Sequence, residues 1–291
     1  MEHPLKLLFC VNPGAGRKRG RDWHTIIHQH FAGTGHETII LTLENGEDRR
    51  RSVKLAIEKH RPDRVVAVGG DGTVNLVASV VGGTGVAMGI IPCGSANGMA
   101  TDLGIPADPE QALEILKDRE PRPMDAVLIN EKQLCLHLAD LGLNARLIKL
   151  FEQTPARGML VYARLSVKVL LKSERFKVKL RTEREEVERS VFMVVLANAR
   201  KYGTGATINK IGELDDGLFE LVLVRKFGLR DLWDSLIARR RFDPQRIEVL
   251  QAREVQIQST RKVHFQVDGD HKGKVKEVRA RILPAHLMVV H

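Results

Sequence analysis

The stretch Val65-Val66-Ala67-Val68-Gly69-Gly70-Asp71-Gly72-Thr73-Val74-Asn75 decides the fold of the first part of the chain. Its four apolar residues predict a buried strand, and the three glycines that follow predict a tight turn just before a helix. Glycine permits positive φ and lets backbone N–H groups approach a ligand, and a helix N-terminus attracts phosphate. An aspartate among such groups is costly unless it holds a cation or accepts a proton. The stretch therefore predicts a phosphate-binding loop in which Asp71 has a chemical role.

Two more turns of small residues follow predicted strands. Residues 5–11 lead into Asn12-Pro13-Gly14-Ala15-Gly16, and residues 86–91 lead into Pro92-Cys93-Gly94-Ser95-Ala96-Asn97. The first of these turns has neither the Walker A spacing nor the dinucleotide fingerprint. Open α/β sheets bind ligands at the carboxyl ends of their strands, so three such turns along one edge predict a nucleotide site.

The pattern of predicted elements divides the chain near residue 123. Strands and helices alternate over residues 1–123, with helices at 22–32, 47–60 and from Thr73 onward, which predicts an α/β domain with a mostly parallel sheet. Residues 124–291 are rich in strands and predict a second, all-β domain of packed antiparallel sheets, whose extreme C-terminus is a candidate for contact with the first domain. The predicted strands there are 125–130, 133–141, 176–182, 190–197, 218–224, 255–258, 263–267 and 278–283, and the two predicted helices are 156–173 and 229–240.

Composition favours a globular protein of the cytoplasm. Hydrophobic residues make up 43% of the 291 residues, which argues against disorder. No apolar run approaches the ~18–20 residues that span a bilayer, and the N-terminus has no signal-peptide segment. The three cysteines are scattered, as is typical of free thiols in a reducing compartment.

The net charge of +10 is confined to the second domain. Residues 1–124 hold 15 Lys and Arg against 15 Asp and Glu, whereas residues 125–291 hold 31 against 21. Such an excess indicates an acidic partner, and because aromatic residues are only 4% and do not interleave with basic ones, an anionic membrane is favoured over nucleic acid. Helices 156–173 and 229–240 both combine basic and apolar residues, so each binds a membrane surface peripherally or packs its apolar face on the sandwich.

The motifs resemble those of the diacylglycerol kinase catalytic-domain superfamily, which includes sphingosine kinases and bacterial lipid kinases. Gly69–Asn75 matches the superfamily signature, Asn12–Gly16 resembles its Asn-Pro-x-(Ser/Ala)-Gly loop, and Pro92–Asn97 resembles its Pro-x-Gly-(Thr/Ser)-x-Asn segment. Leu214–Phe219 and Val267–Asp270 occupy the places of two later Asp-Gly motifs. The resemblance spans essentially the whole chain. It implies an N-terminal α/β nucleotide domain, a C-terminal antiparallel β-sandwich, and an active site in the cleft between them.

The resemblance also implies roles for individual residues. Asp71 would lie at the magnesium–phosphate end of the nucleotide, and Asp216 would bind a structural magnesium ion together with backbone carbonyls near Glu213 and Leu218. Asp270 stands where the superfamily usually has a glutamate, the base that takes the proton from the lipid hydroxyl, and Asp268 is an alternative base or metal-side ligand. The implied ATP site consists of Asn12, Pro13, Gly14, Ala15, Gly16, Thr42, Gly69, Gly70, Asp71, Gly72, Thr73, Val74, Asn75, Ser95 and Asn97.

Two positions depart from the superfamily pattern. Gly98 follows Asn97 where the common bacterial pattern has an aspartate, and Ser95 is the choice of the sphingosine-kinase branch. Asp270 keeps the carboxylate of the usual glutamate but shortens its reach by one methylene, which matters because a base must contact its hydroxyl at ~3 Å.

The expected activity is transfer of the γ-phosphate of ATP, with Mg²⁺, to a hydroxyl group of a lipid such as a diacylglycerol or a sphingoid base. Two alternatives remain at this point: a kinase for a soluble acceptor such as NAD, and a catalytically inactive nucleotide-binding regulatory protein. The sequence leaves open which lipid is the acceptor and whether the chain forms a homodimer.

Overall fold

The computed structural model describes residues 4–14, 22–154, 159–198, 201–202, 206–207, 213–228 and 246–291. The predicted helix 229–240 lies outside these residues, as do Ala15, Gly16 and the first residues of the predicted helix 156–173. The chain forms two compact units, one of Met1–Met124 with Ala285–His291 and one of Asp125–Pro284.

The first unit is a parallel sheet with helices between its strands, and this part of the predicted fold is confirmed. Its strands follow the order β2-β1-β3-β4, and each neighbouring pair is parallel. Its elements are β1 (Lys6–Val11), α1 (Trp23–Phe31), β2 (Glu37–Thr42), α2 (Arg49–His60), β3 (Arg64–Gly69), α3 (Asp71–Val81), β4 (Ala87–Pro92), α4 (Gly98–Asp102) and α5 (Pro109–Asp118).

Local sequence explains where these elements begin. Every residue of β3 and β4 is buried, as expected of parallel strands that are covered on both faces. The helices α1, α2 and α5 each begin after an aspartate, at Asp22, Asp48 and Asp108, whose side chain accepts backbone N–H groups of the first turn.

The second unit is built from antiparallel pairs and is β-sandwich-like, which confirms the predicted fold class. The path of paired strands is β14-β13-β10-β7-β15-β16; the pair β8–β9 joins β15, and the pair β5–β6 joins β16. Its elements are β5 (Pro121–Ile129), β6 (Gln133–Cys135), β7 (Leu138–Gly142), α6 (Leu143–Glu152), α7 (Met159–Leu171), β8 (Phe176–Thr182), β9 (Glu186–Val191), β10 (Met193–Ala197), β11 (Lys201–Tyr202), β12 (Ala206–Thr207), β13 (Phe219–Val224), β14 (Ile247–Ala252), β15 (Glu254–Val267) and β16 (Asp270–Val290).

Strand β15 changes partners along its length. Residues 255–259 pair with β8, residues 265–267 pair with β7, and the register with β16 shifts between Gln258 and Val263. The sequence predicts two strands here, at 255–258 and 263–267, whereas the structure has one strand with an irregularity in that gap. Helix α6 and strand β14 are two further elements that the sequence pattern does not predict.

The C-terminal strand returns to the first unit. Met288 and Val289 at the end of β16 pair in parallel with Ala87 and Met88 of β4. Leu287, Val289 and Val290 are buried there. The last seven residues of the chain therefore extend the parallel sheet beyond β4.

Candidate active site

The three predicted loops lie side by side at one edge of the parallel sheet. The register aligns Val11 with Val68 and Gly69 with Pro92, so β1, β3 and β4 end at the same level. Thr42, the last residue of β2, aligns with Val11 and lies at the same edge. This edge is where ligands bind in open α/β sheets.

Asn12 connects the first loop to the second. Its backbone N–H donates to the carbonyl of Val68 at 3.0 Å, and its Nδ2 donates to Oγ1 of Thr73 at 3.2 Å. Its Oδ1 accepts the N–H of Gly14 at 2.9 Å. The backbone and the side chain of Asn12 thus connect the start of the first loop to both ends of the second.

Asp71 connects the second loop to the third. The helix α3 begins at this residue, and its Oδ1 accepts the backbone N–H of Met99 at 3.3 Å. The backbone N–H of Cys93 donates to the carbonyl of Gly69 at 2.8 Å. Because Gly70 stands at the N-cap and has no side chain, the first N–H groups of α3 are left for a ligand or solvent.

The glycines of these loops allow neighbouring stretches of backbone to pack closely against each other. A Cβ on Gly94 would lie 2.5 Å from Cα of Gly70, and one on Gly69 would overlap the side chain of Thr73. The turn does not use the positive φ that glycine permits: Gly70 has φ −94°, and the positive-φ glycines of the described residues do not include Gly69 or Gly72. The loops need glycine because a side chain would separate them.

Asn97 closes the third loop. It adopts φ 51° and ψ 46°, the left-handed conformation that asparagine tolerates better than most residues. Its Oδ1 accepts the N–H of Gly94 at 2.8 Å, and its Nδ2 donates to the carbonyl of Gly94 at 3.0 Å. Ser95, between them, is exposed.

In the second unit, Asp268 and Gly269 form the two-residue turn that joins β15 to β16. Their φ values are 46° and 87°, and Val267 pairs with Asp270 across the turn, as in a type I′ hairpin. Asp270 is the first residue of β16. Its side chain is 74% exposed, with Oδ2 at 3.5 Å from Nζ of Lys272.

Asp268 is held by backbone donors. Its carboxylate accepts N–H groups from Leu136 at 2.9 Å, His137 at 3.0 Å and Leu138 at 3.0 Å. Burial raises the pKa of Asp268, and these hydrogen bonds act in the opposite direction. Between β6 and β7, the carboxylate takes the place of the carbonyl groups of a neighbouring strand as the acceptor of these N–H groups. Asp268 therefore anchors the hairpin to this part of the sheet.

A buried polar network supports the same turn, and sequence reasoning missed it. Gln266 accepts the N–H of Gly269 at 2.8 Å through Oε1 and donates to Oδ2 of Asp140 at 2.5 Å. Asp140 also accepts the N–H of Ala145 at 2.8 Å, at the start of α6. The signal available in the sequence was a lone carboxylate in the otherwise apolar stretch Leu138–Leu141.

The loop that carries Asp216 is tied to β5. Oδ1 of Asp216 accepts the N–H of Leu218 at 2.9 Å. Asp125 accepts the N–H of Gly217 at 2.7 Å and donates its own N–H to the carbonyl of Leu214 at 2.6 Å. The predicted metal residues Asp216 and Leu218 therefore belong to one hydrogen-bonded loop, and Glu213 directly precedes Leu214 in it.

The donors of this loop suit a hard cation. No group of three or more His, Cys, Asp or Glu side chains that could hold a metal occurs among the described residues. An ion at Asp216 would rely on carboxylate oxygens, backbone carbonyls and water, a set that magnesium accepts and that structural zinc sites do not use. The predicted magnesium at Asp216 is compatible with this chemistry.

The fold and the loops together define a class, the two-domain phosphotransferases with an α/β unit and a β-sandwich-like unit. Residues 6–129 match the family model described as the diacylglycerol kinase catalytic domain. Residues 138–291 match the model described as the YegS C-terminal NAD kinase beta sandwich-like domain.

Individual relatives agree with these models. A protein of Chromohalobacter salexigens named "Probable lipid kinase YegS-like" is 31% identical over 81% of this chain and 78% of its own length. The protein of Bacillus subtilis named "Diacylglycerol kinase" is 26% identical over 91% of this chain and 89% of its own. A solved structure of a diacylglycerol kinase from Bacillus anthracis str. Sterne superimposes with a TM-score of 0.73 at 20% identity, covering 98% of this chain and 96% of that one.

The chain belongs to the diacylglycerol kinase catalytic-domain superfamily. The predicted superfamily and the prediction of a kinase-type enzyme are thereby confirmed, and membership of a kinase family implies the use of ATP. None of the helices in the described ranges is long and apolar enough to cross a membrane.

Proposed function

We propose that the chain is an ATP- and Mg²⁺-dependent kinase that transfers the γ-phosphate of ATP to a hydroxyl group of a lipid. The observation that carries the proposal is the edge of the parallel sheet, where Asn12 and Asp71 connect three small-residue loops and Gly70 and Gly94 approach backbone to backbone. Phosphoryl transfer depends mainly on positioning and on neutralising phosphate charge, which such an arrangement of backbone N–H groups and a carboxylate-held cation provides.

The nucleotide is proposed to bind along this edge. The first turn of α3 and the loops before it offer backbone N–H groups to phosphate oxygens. Thr42 lies at the same edge, with its Oγ1 at 3.4 Å from Nε2 of His24. The proposed ATP-binding residues are those implied by the superfamily pattern: Asn12 to Gly16, Thr42, Gly69 to Asn75, Ser95 and Asn97.

Magnesium is proposed at two places. Asp71 would hold the ion that neutralises charge on the transferred phosphate, because its carboxylate lies at the start of α3 between the second and third loops. Asp216, with carbonyls near Glu213 and Leu218, would hold a structural ion. Both sites use oxygen donors, as magnesium requires.

The proposed base is Asp270. A base must be free to contact the acceptor hydroxyl, and the Asp270 side chain is 74% exposed at the start of β16. Asp268, two residues earlier, already accepts three backbone N–H groups and serves to hold the turn. Within the hairpin, Asp268 therefore holds the turn in place, and Asp270 is the proposed base.

A lipid acceptor at a membrane surface is supported by the names of the relatives and by helix α7. Val167 and Leu171 on this helix expose 39% and 70% of their surface, and Arg164 and Lys168 are exposed nearby. A helix with exposed apolar and basic side chains binds anionic lipid surfaces through both. We propose peripheral attachment through this face.

A soluble acceptor is the second candidate. The match of residues 138–291 to a model described as NAD kinase beta sandwich-like favours it. Its test is the same reaction with NAD in place of lipid.

The test is incubation of the purified protein with radiolabelled ATP, Mg²⁺ and a panel of lipid alcohols in anionic vesicles, beside an Asp71→Ala variant. We expect label in one lipid class and loss of at least ~100-fold of the rate in the variant. Label on NAD alone would support the second candidate. ATP binding without transfer to any acceptor would reject both kinases and leave a regulatory nucleotide-binding protein.

A further inference from the structure

A basic cavity of about 340 Å³ lies within the second unit, in addition to the loops and hairpin described above. The start of α6, the end of α7 and strands β8, β15 and β16 supply its lining. The charged and titratable residues of that lining are Arg146, Lys172, Glu174, Arg261, Lys262, His264 and Lys274. Five of them are lysine or arginine and one is an acid, so the cavity carries a large positive excess. Its volume is within the range of about 300–1,000 Å³ that small-molecule sites have.

Two arginines of the cavity are held in place. Arg146 donates to the carbonyl of Lys172 at 3.0 Å, which connects α6 to the end of α7. Arg261 donates to Oε2 of Glu174 at 2.9 Å and to the backbone carbonyl of Glu174 at 3.1 Å. The single acid of the lining is therefore already paired, and the two guanidinium groups keep their positions without a ligand.

Three lysines of the cavity have no such pairing. Lys172, Lys262 and Lys274 are exposed, and no carboxylate of the described residues forms an ion pair with any of them. Like charges held around one cavity repel each other, and an anion between them relieves this repulsion. Lysine binds phosphate as a point charge, and arginine adds directed donors.

The histidine of the lining is partly buried beside several of these basic groups. Nδ1 of His264 lies 2.9 Å from Nε2 of His271, whose Nδ1 accepts the N–H of Gly273 at 3.4 Å. His271 therefore donates through Nε2 and leaves Nε2–H of His264 as a donor. Burial, and then the charges of Lys274, His271, Lys149 and Arg146, lower the pKa of His264 to about 4.

We infer that this cavity binds a phosphomonoester, either the headgroup of a phosphorylated lipid or a free phosphorylated metabolite. The cavity combines positioned arginines, unpaired lysines and a donor histidine around a space that admits a phosphate with a small polar substituent. Phe176 and Phe192 also belong to its lining and provide apolar contact for that substituent. None of the lining residues is among those proposed above to bind ATP, hold magnesium or act as the base, so the inference does not rest on the proposed function.

The test uses the intact protein and backbone amide NMR, because the loops of the first unit also attract phosphate and only a local signal separates the two. One arm titrates inorganic phosphate and glycerol 3-phosphate; the other adds phosphatidylcholine vesicles with and without phosphatidic acid. We expect saturable shifts at the amides of Ser173 and His264, and a rise in the pKa of His264 when the ligand binds. Shifts with glycerol 3-phosphate alone identify a soluble ligand, and shifts that need phosphatidic acid identify a lipid headgroup.

A pair of matched variants completes the test. Lys262→Gln with Lys274→Gln removes two charges from the cavity and should weaken the affinity by about tenfold or more. Lys59→Gln with Lys132→Gln removes two exposed lysines that do not line the cavity and should leave the affinity unchanged. Absence of shifts at Ser173 and His264 with every probe, or equal weakening in both double variants, overturns the inference.

Discussion

At Gly70 and Gly94, the absence of a side chain allows the second and third loops to approach each other closely. Their α carbons face each other so closely that a methyl group on Gly94 would lie 2.5 Å from Cα of Gly70 and 2.8 Å from Oδ1 of Asn97. The obstacle on one side is backbone, which cannot rotate away as a long side chain can. The sequence shows glycine at both positions, but only the structure shows that each is needed because of the other.

Gly94→Ala should therefore separate the second and third loops. We expect overpacking to lower the stability by about 1–3 kcal/mol and the affinity for ATP to fall with it. Calorimetry measures the first effect and nucleotide titration the second. Gly72→Ala is the matched control for stability, because its added Cβ meets no atom within 4 Å. A Gly94→Ala protein that melts at the wild-type temperature would refute this account of the loops.

The two aspartates of the β15–β16 hairpin should respond differently to the same change. Asp270→Asn should lower kcat by about 10²–10⁴-fold, the usual contribution of a general base, and leave the melting temperature unchanged because this side chain is 74% exposed. Asp268→Asn should lower stability by about 1–3 kcal/mol, since an amide cannot accept all three backbone N–H groups.

Asp270→Glu is the control for this pair, because it keeps a carboxylate and gives the side chain the length that the superfamily usually has. It should keep activity. If Asp270→Asn is as active as the wild type while Asp268→Asn folds normally and is inactive, the assignment of the base is reversed.

Among the elements, α7 carries the exposed apolar surface on which the membrane proposal depends. Val167→Ser with Leu171→Ser should weaken binding to anionic vesicles by about tenfold or more, because each side chain contributes apolar area when it is buried in lipid. Vesicle sedimentation at several salt concentrations measures the effect and separates it from the salt-sensitive contribution of Arg164 and Lys168.

A matched control for α7 is Leu55→Ser with Val249→Ser. These two residues expose 53% and 39% of their surface, against 70% and 39% for Leu171 and Val167. The control should bind vesicles as the wild type does. Equal loss in both double variants would show that exposed apolar surface in general, and not α7, attracts the protein to lipid.

Arg189 of β9 and Glu248 of β14 form an ion pair, and its contribution to the stability of the fold depends on pH. Nε and Nη2 of Arg189 donate to both carboxylate oxygens of Glu248 at 2.8 Å, and the side chains are 33% and 22% exposed. This bidentate pair holds the pKa of Glu248 below its ordinary value of 4.5. A carboxylate with a lowered pKa stabilises the fold above the pKa of the unfolded chain and loses this effect as pH falls through the folded value.

Glu248→Gln should accordingly lower the free energy of unfolding by about 0.5–1 kcal/mol at neutral pH. The difference from the wild type should shrink as pH falls below 4.5, the ordinary pKa of the unfolded chain, and should vanish once pH has passed the lowered pKa of the folded carboxylate. Urea unfolding at neutral and acid pH measures it. Glu131→Gln is the control: Glu131 pairs with Arg281 but its side chain is 68% exposed, so no measurable change is expected. A Glu248→Gln effect that persists unchanged in acid would mean that the pair is not its cause.

At the scale of the whole molecule, the first unit was predictable because its contacts are local in sequence. Buried strands alternate with helices, each loop follows its strand directly, and the strand ends at Gly69 and Pro92 appear in the sequence as glycine- and proline-containing turns. The structure adds α5 and the close approach of the loops, which depends on distances that no sequence pattern contains.

The second unit was predictable in class but not in detail. Its strands pair with partners far away in sequence: β7 joins β10 on one side and β15 on the other, and β15 changes partners near Gln258. The Asp268-Gly269 pair was a readable hairpin signal, whereas the basic cavity collects residues from 142 to 274 and has no sequence signature. Likewise, the sequence analysis names the extreme C-terminus as a candidate for contact with the first domain, but no sequence pattern indicates that it pairs in parallel with β4.

Phosphoryl transfer to a lipid is the central claim, and ³¹P NMR of a single reaction tests it most directly. The sample contains the protein, ATP, Mg²⁺, NAD and anionic vesicles that carry the lipid class labelled in the radioactive panel. The account predicts that the γ-phosphate resonance of ATP declines while a lipid phosphomonoester resonance grows at the same rate, and that Asp270→Asn suppresses both. Growth of inorganic phosphate alone, or of a phosphate resonance on NAD, would contradict it.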